Sequence, residues 1–211
     1  MKKHHIAFAL LFIFYTVGIL GLSIPALKDI FLRLTPANLL LTLVVLTWGH
    51  QKVDYKLILA FLFAFLVGFL VEVAGVHTGL LFGEYTYGDP LGWRIFDVPL
   101  IIGVNWFLLA YASKGAASII LNNKWLQWGL AALIMVLLDF FIEPVAIELD
   151  FWDWTAGHIP IRNYFMWFIT AFVVHMGFGI IGFKTNKRLA LVILLIQFYF
   201  FIALNLLYWN M

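Results

Sequence analysis

Long apolar stretches separated by short polar segments dominate this chain. Seven such runs occur, at 6–23, 36–49, 56–75, 98–113, 125–143, 162–182 and 189–209. A helix needs about 20 apolar residues to cross the hydrocarbon core of a bilayer, and the alternating ten-residue pattern of membrane strands is missing from the sequence. Since lipid offers the backbone no hydrogen-bond partners, the pattern predicts an all-α, polytopic membrane bundle of about seven helices, forming one domain over residues 1–211.

The composition supports this interpretation and excludes several classes of function. The chain is 64% hydrophobic and 11% charged, whereas soluble domains are roughly 25% charged. The net charge is only +2 and the basic residues are dispersed, so we expect no nucleic-acid partner. The absence of cysteine excludes disulfides, thiolate catalysis and thiolate metal sites. The first apolar run is longer than a signal-peptide core, which predicts an uncleaved first span.

Basic residues predict the orientation. Nine of the thirteen lysines and arginines fall on segments that would share a side with the N-terminus, which favours a cytoplasmic N-terminus and an outside C-terminus in the cytoplasmic (inner) membrane. At about 1.5 Å per helical residue, Glu72, Asn105, Asp139, Glu143 and Asn205 then lie in one polar layer in the outer half of the bilayer.

Three carboxyl groups in this layer are candidates for chemistry. Asp139 and Glu143 are four residues apart and share a helix face. Two close carboxyl groups that cannot both ionise share a proton, which leaves an acid at neutral pH. Glu72 lies within an apolar run, where desolvation favours the neutral acid. The alternative is that these groups only join helices by hydrogen bonds, and Pro144 predicts a helix end that would put Glu143 at the interface.

A glycine-rich segment at 76–97, expected on the outer side, follows the third run. It is either a loop that folds back to line a cavity or an ordinary packed loop. Gly75, directly before this segment, allows the chain to turn at that position. Five aromatic residues of the outer loops are typical in part of an interfacial belt: Tyr85, Tyr87, Trp93, Trp152 and Trp154. The sequence GFGIIG at 177–182 matches a nucleotide-binding pattern by letter, but it lies inside an apolar run and predicts close helix packing.

The block at 71–106 resembles the carotenoid biosynthesis membrane proteins of the CruF type. The matching pattern is E-x-x-G-x-x-T-G-x-x-F-G-x-Y-x-Y followed by V-P-L and N-W, here Glu72, Gly75, Thr78, Gly79, Phe82, Gly83, Tyr85, Tyr87, Pro99, Asn105 and Trp106. A second block is similar from Asp139 to Pro144, at Phe151-Trp152 and from Asn163 to Trp167, and Asp97 stands where the family often has glycine.

The resemblance implies a carotenoid 1,2-hydratase, a hydro-lyase that adds water across the terminal double bond of an acyclic, lycopene-like end group. Such an enzyme requires no cofactor or metal. Its implied partners are a carotenoid that enters from the bilayer, membrane lipid and other carotenoid-pathway enzymes. We expect acid–base catalysis by a carboxyl group, with a second polar group holding the water. The expected catalytic residues are Glu72, Asp139, Glu143 and Asn105. The expected substrate-binding residues are Trp106, Tyr85, Tyr87, Phe82, His77 and Trp167.

Two other functions use the same residues. A proton-driven carotenoid cyclase or isomerase would use the same acid, but its cation would be quenched by carbon or by proton loss. A carotenoid- or lipid-binding membrane protein would use the carboxyl groups only as structural hydrogen-bonding groups. Pigment analysis after expression in a lycopene-producing host distinguishes the three functions.

Overall fold

The computed structural model describes residues 3–50 and 52–209. In this part of the chain seven α-helices form one bundle: α1 (Lys3–Ser23), α2 (Pro25–Gly49), α3 (Tyr55–Thr78), α4 (Ile101–Ile120), α5 (Lys124–Glu148), α6 (Ile161–Ile181) and α7 (Lys187–Trp209). All except α4 are long and apolar enough to cross a membrane. The prediction of an α-helical bundle whose helices can cross a membrane is therefore confirmed.

Helix α4 lies at the centre of the bundle. It packs against α3, α5 and α7, and more sparsely against α2 and α6. Between Ile101 and Ala117 every residue except Asn105 and Lys114 is buried. Because its neighbours are protein rather than lipid, α4 does not need an uninterrupted apolar surface. Its central position explains why its apolar run is short.

Two prolines lie inside helices that the sequence predicted to be shorter. Helix α2 begins at Pro25, well before the predicted start at residue 36, and Pro36 is internal to it. Helix α5 continues through Pro144 to Glu148, so the predicted helix end after Glu143 was wrong. A proline removes one backbone hydrogen bond, and membrane helices tolerate this loss when neighbouring groups satisfy the freed carbonyl.

The loops between helices gather at two opposite ends of the bundle. At one end the chain turns at Ile24, between α1 and α2, and Lys28 forms an ion pair with Glu148 at 3.3 Å. At the other end Asn186 donates from Nδ2 to the Gly49 carbonyl at 3.1 Å. The glycine-rich segment and the loop after α5 both lie at the first end, so their residues can meet.

The glycine-rich segment is ordered by strand pairing. Helix α3 continues past Gly75 to Thr78 and ends on the left-handed Gly79, so the turn predicted at Gly75 was wrong. Strand β1 (Tyr85–Tyr87) then pairs antiparallel with β4 (Trp152–Trp154) from the loop after α5. A short hairpin of β2 (Arg94–Ile95) and β3 (Val98–Pro99) leads into α4. The segment is therefore part of the wall at this end of the bundle.

The glycines of the GFGIIG sequence serve helix packing, as predicted. A Cβ atom at Gly177 would overlap the ring of Phe63, and one at Gly179 would overlap the ring of Trp128. Gly182 adopts the left-handed conformation that ends α6. Gly177 and Gly179 therefore let α6 approach α3 and α5 closely.

Candidate active site

Glu72, in the last two turns of α3, is buried against three hydrogen-bond donors. Its Oε2 accepts from the hydroxyls of Tyr85 at 2.5 Å and Tyr87 at 2.9 Å. Its Oε1 accepts from Nε1 of Trp106 at 3.3 Å. Burial raises the pKa of both tyrosines above the usual value, so both phenols stay protonated and donate. The three donors stabilise the carboxylate form of Glu72.

Two glycines on α3 make room for this cluster. A Cβ atom at Gly68 would overlap the indole of Trp106, and one at Gly75 would lie 2.6 Å from the Phe82 ring and 3.0 Å from the Tyr85 hydroxyl. Gly68 therefore allows the indole to pack directly on α3. Gly75 makes room for the loop aromatics Phe82 and Tyr85. This close packing, and not a turn of the chain, explains why a glycine lies one helical turn after Glu72.

Glu143 is the centre of a second buried cluster. Its Oε2 accepts from the indole nitrogens of Trp152 at 3.0 Å and Trp154 at 2.9 Å. Its Oε1 accepts from Nδ2 of Asn163 at 2.9 Å, and the same nitrogen donates to Oδ2 of Asp139 at 3.1 Å. One amide group from α6 thus bridges the two carboxyl groups of α5.

Asp139 is the least stabilised carboxyl group of the three. It is fully buried, and its Oδ1 is the only completely buried side-chain polar atom among the described residues without a hydrogen-bond partner. A buried carboxylate with one hydrogen bond is costly. The arrangement therefore favours the neutral acid at Asp139, while Glu143 has the donors that a carboxylate requires.

The ribbon of β1 and β4 supplies donors to both clusters. Successive strand residues point to opposite faces, so Tyr85 and Tyr87 share one face with their cross-strand partners Trp154 and Trp152. The tyrosines donate to Glu72, and the tryptophans donate to Glu143. One small ribbon positions four aromatic donors between two helices.

Two cavities that share a wall lie beside these clusters. A small cavity of about 30 Å³ with both polar and apolar walls is lined by Glu72 and Glu143, together with Asn163 and the ribbon aromatics. A larger, mainly apolar cavity of about 490 Å³ extends between α1, α2, α4 and α7. Both are lined by Ile102, Asn105, Ile142 and Trp152. The small cavity has room for one water molecule, and the large one for part of an elongated apolar ligand.

Most residues expected at the site lie around the small cavity. Asn105 stands at the junction of the two cavities, and Phe82 lines the small one. The indoles of Trp106 and Trp167 stack there with centroids 4.4 Å apart. Asp139 is behind the lining, in contact with Asn163.

His77 lies apart from this group. It is half exposed, with Nε2 3.2 Å from the Phe96 carbonyl and 3.6 Å from the Asp97 carboxylate. It lines neither of the two cavities.

Sequence reasoning missed three hydrogen-bond donors of the site. Trp152 and Trp154 were assigned to an interfacial belt, and Asn163 was not singled out as a site residue. The signal for the tryptophans was the W-x-W spacing, which mirrors the Y-x-Y spacing of Tyr85 and Tyr87 and puts both rings on one face of a strand. Within the described part of the chain, no group of three or more His, Asp or Glu side chains has an arrangement suited to a metal ion.

Comparison with known proteins places the chain in a family. The family model described as "Carotenoid biosynthesis protein" matches residues 35–211. The chain is similar to the bisanhydrobacterioruberin hydratase of Haloarcula japonica, with 28% identity over 148 residues. That alignment covers 64% of this chain and 50% of the relative, so the chain spans about half the length of the curated protein it matches. No solved structure matches. Since the family model covers most of the chain, this protein belongs to the carotenoid biosynthesis protein family.

Proposed function

We propose that the protein is a membrane-embedded carotenoid hydratase that adds water to the terminal double bond of an acyclic, lycopene-like end group. The observation that carries this proposal is the junction of the two cavities. An apolar cavity suited to a hydrocarbon chain shares Asn105 as a lining residue with a water-sized cavity that is lined by Glu72 and Glu143. Family membership and the similarity to a named hydratase support it.

The acid is the Asp139–Glu143 pair. Both side chains contact one Asn163 nitrogen, and the pair holds a single proton because two adjacent buried carboxylates repel each other. Asp139, with the fewest donors, carries this proton in the resting state. For the reaction, the proton first moves from Asp139 to Glu143, which lines the cavity. Glu143 then transfers it to the less substituted carbon of the alkene and becomes a carboxylate. The π electrons form the new C–H bond and leave a tertiary cation.

Aromatic faces and a carboxylate stabilise this cation. The Trp106–Trp167 stack, Tyr85 and Trp152 line the small cavity, and aromatic faces attract cations within about 6 Å of the ring centre. The Glu72 carboxylate lies across the same cavity from Glu143. Because the surrounding residues are buried, bulk water is kept away and the charge interactions are strong.

A single water molecule completes the reaction. Asn105, at the cavity junction, holds the water beside the cation, and the water oxygen bonds to the tertiary carbon. Glu72 accepts the proton that this water loses. Return of that proton to the Asp139–Glu143 pair closes the cycle, so the net change is one water added per end group. No electron acceptor or donor is needed for this balance.

The proposed setting is the cytoplasmic membrane, with the site toward the outer side, as the distribution of lysine and arginine favours. The substrate enters sideways from the lipid into the 490 Å³ cavity, whose lining includes the exposed side chains of Phe14, Val17 and Leu34. This cavity holds only part of a carotenoid. The remainder of the polyene stays in the bilayer, and other enzymes of carotenoid synthesis are the expected functional partners.

The test is expression in a lycopene-producing host with mass analysis of the pigments. We expect a mass gain of one water per reacted end. Glu143→Gln, Glu72→Gln and Asp139→Asn are each expected to reduce hydration at least about 100-fold, the usual size of an acid–base contribution. Glu148→Gln is the matched control, because this residue lies on the same helix but is exposed and paired with Lys28.

Folding is checked for each variant by gel filtration and thermal unfolding in detergent. Near-normal hydration by folded Glu143→Gln and Glu72→Gln would refute the assigned roles. A cyclised product without added water would show a cyclase. Unchanged pigment that co-purifies with the protein would show a binding protein.

A further inference from the structure

The apolar cavity contains a polar group that the proposed hydration reaction does not use. Gln197, on α7, is only 2% exposed and lines the cavity wall. Its Nε2 is 3.2 Å from the hydroxyl of Tyr15 on α1, which lies 2.9 Å from Oγ1 of Thr42 on α2. Thr42 in turn lies 2.9 Å from the Asn38 carbonyl. Buried polar groups in an apolar cavity require partners.

The direction of this chain of hydrogen bonds is determined by counting protons. The Thr42 hydroxyl has one proton and donates it to the Asn38 carbonyl, so Tyr15 must donate to Thr42. The Tyr15 oxygen can then only accept, and the amide nitrogen of Gln197 is its donor. This requirement fixes which end of the Gln197 amide points at Tyr15.

The other end of the amide is an unused acceptor. No described residue donates to Oε1 of Gln197, and this atom is not among the completely buried unpartnered atoms. Oε1 therefore reaches the cavity surface. A lone carbonyl acceptor recognises an O–H donor and gains nothing from a ketone or an ether oxygen.

We propose that Gln197 binds a hydroxyl group on the substrate chain, so that the preferred ligand is a hydroxylated acyclic isoprenoid. This inference rests on the proposed function, because it assumes that the reacting double bond lies at the cavity junction. Gln197 would be a specificity-determining contact on α7, whereas the three carboxyl groups are on α3 and α5.

The position of Gln197 sets the distance between the two groups of such a ligand. Asn205, on the same helix, donates to the Phe141 carbonyl at 2.7 Å, next to the junction residue Ile142. Gln197 precedes Asn205 by two helical turns, which is about 12 Å along the axis. The hydroxyl is therefore a few isoprene units from the reacting double bond.

A series of isoprenoid alcohols tests this distance. Geraniol, farnesol and geranylgeraniol share the same terminal double bond and carry the hydroxyl at increasing distances from it. Each is compared with the hydrocarbon that has a methyl group in place of CH₂OH. Binding is followed by tryptophan fluorescence of the protein in lipid nanodiscs, and hydration by mass spectrometry. For one of the three chain lengths, we expect the alcohol to bind about tenfold more tightly than its hydrocarbon analogue, which corresponds to one net hydrogen bond.

The key variant is Gln197→Met, which keeps the side-chain length but removes the acceptor. We expect the preference for the alcohol to fall to about equal binding. Thr16→Val is the matched control, since Thr16 bonds to Tyr199 at 3.1 Å and joins the same two helices without lining the cavity. This variant should retain the preference.

The two hypotheses fail in different ways. Equal binding of alcohol and hydrocarbon at every length by the wild type, or an equal loss in both variants, would overturn the role of Gln197. If lycopene is not hydrated but the alcohol preference exists and disappears in Gln197→Met, the hydroxyl site stands and the proposed reaction fails.

Discussion

The bridge from Asn163 to the carboxyl pair is the contact whose energy most directly tests the charge state of Asp139. Asn163 donates to Asp139 at 3.1 Å and to Glu143 at 2.9 Å, and Asp139 has no other hydrogen bond. Replacing Asn163 with leucine leaves Asp139 with no partner. The contact is tested by a double-mutant cycle that combines Asn163→Leu with Asp139→Leu.

The magnitude follows from the hydrogen-bond inventory. A bond to a neutral partner contributes about 1 kcal/mol, and a bond to a charged partner about 1.5–3 kcal/mol. Asn163→Leu also removes the Asn163–Glu143 hydrogen bond, both when Asp139 is present and when it is replaced by leucine. This loss therefore cancels in the coupling energy. If Asp139 is the neutral acid, we therefore expect a coupling energy of about 1 kcal/mol between residues 139 and 163.

The assay is reversible unfolding in mixed micelles, followed by tryptophan fluorescence, for the wild type, both single variants and the double variant. We expect Asn163→Leu alone to lower the free energy of unfolding by about 2–4 kcal/mol, because it removes two hydrogen bonds and leaves a buried carboxyl unsatisfied. A coupling energy near 3 kcal/mol would show that Asp139 is charged, which contradicts its assignment as the resting acid. Additive variants would show that the bridge has no energetic role.

Three further outcomes follow from the same contacts. Trp154→Phe removes one donor to Glu143 while keeping an aromatic ring, and should lower the free energy of unfolding by about 1.5–3 kcal/mol in the same micelle assay. Gly68→Ala should cost about 1–3 kcal/mol through overpacking against Trp106, and pigment analysis should show reduced hydration, since the displaced indole no longer reaches its carboxylate. His77→Ala should leave both hydration and thermal stability nearly unchanged, because this half-exposed residue lines neither cavity. A large loss of hydration by normally folded His77→Ala would show that His77 has a role in the reaction.

Hydropathy and helical spacing were enough to predict the helices and to place several of their polar residues at one level of the bundle. Hydropathy and helical rise are local properties, so the seven runs and the layer that contains Glu72, Asn105 and Glu143 could be read without tertiary information. The largest departure from the predicted helix boundaries was in helix α2. Lys28 and Arg33 interrupt its apolar pattern and Pro36 suggests a boundary, yet the helix packs against α1 along its length and forms as one element.

Which groups meet depends on tertiary contacts that local sequence does not specify. The ribbon of β1 and β4 joins segments far apart in the chain, and nothing local to Tyr85 or Trp154 specifies that pairing. The bridging role of Asn163 and the free acceptor of Gln197 likewise depend on contacts between helices. Such contacts arise because buried polar groups must find partners wherever packing brings them together. Sequence periodicity places a carboxyl group at a position along a helix, and packing selects its donors.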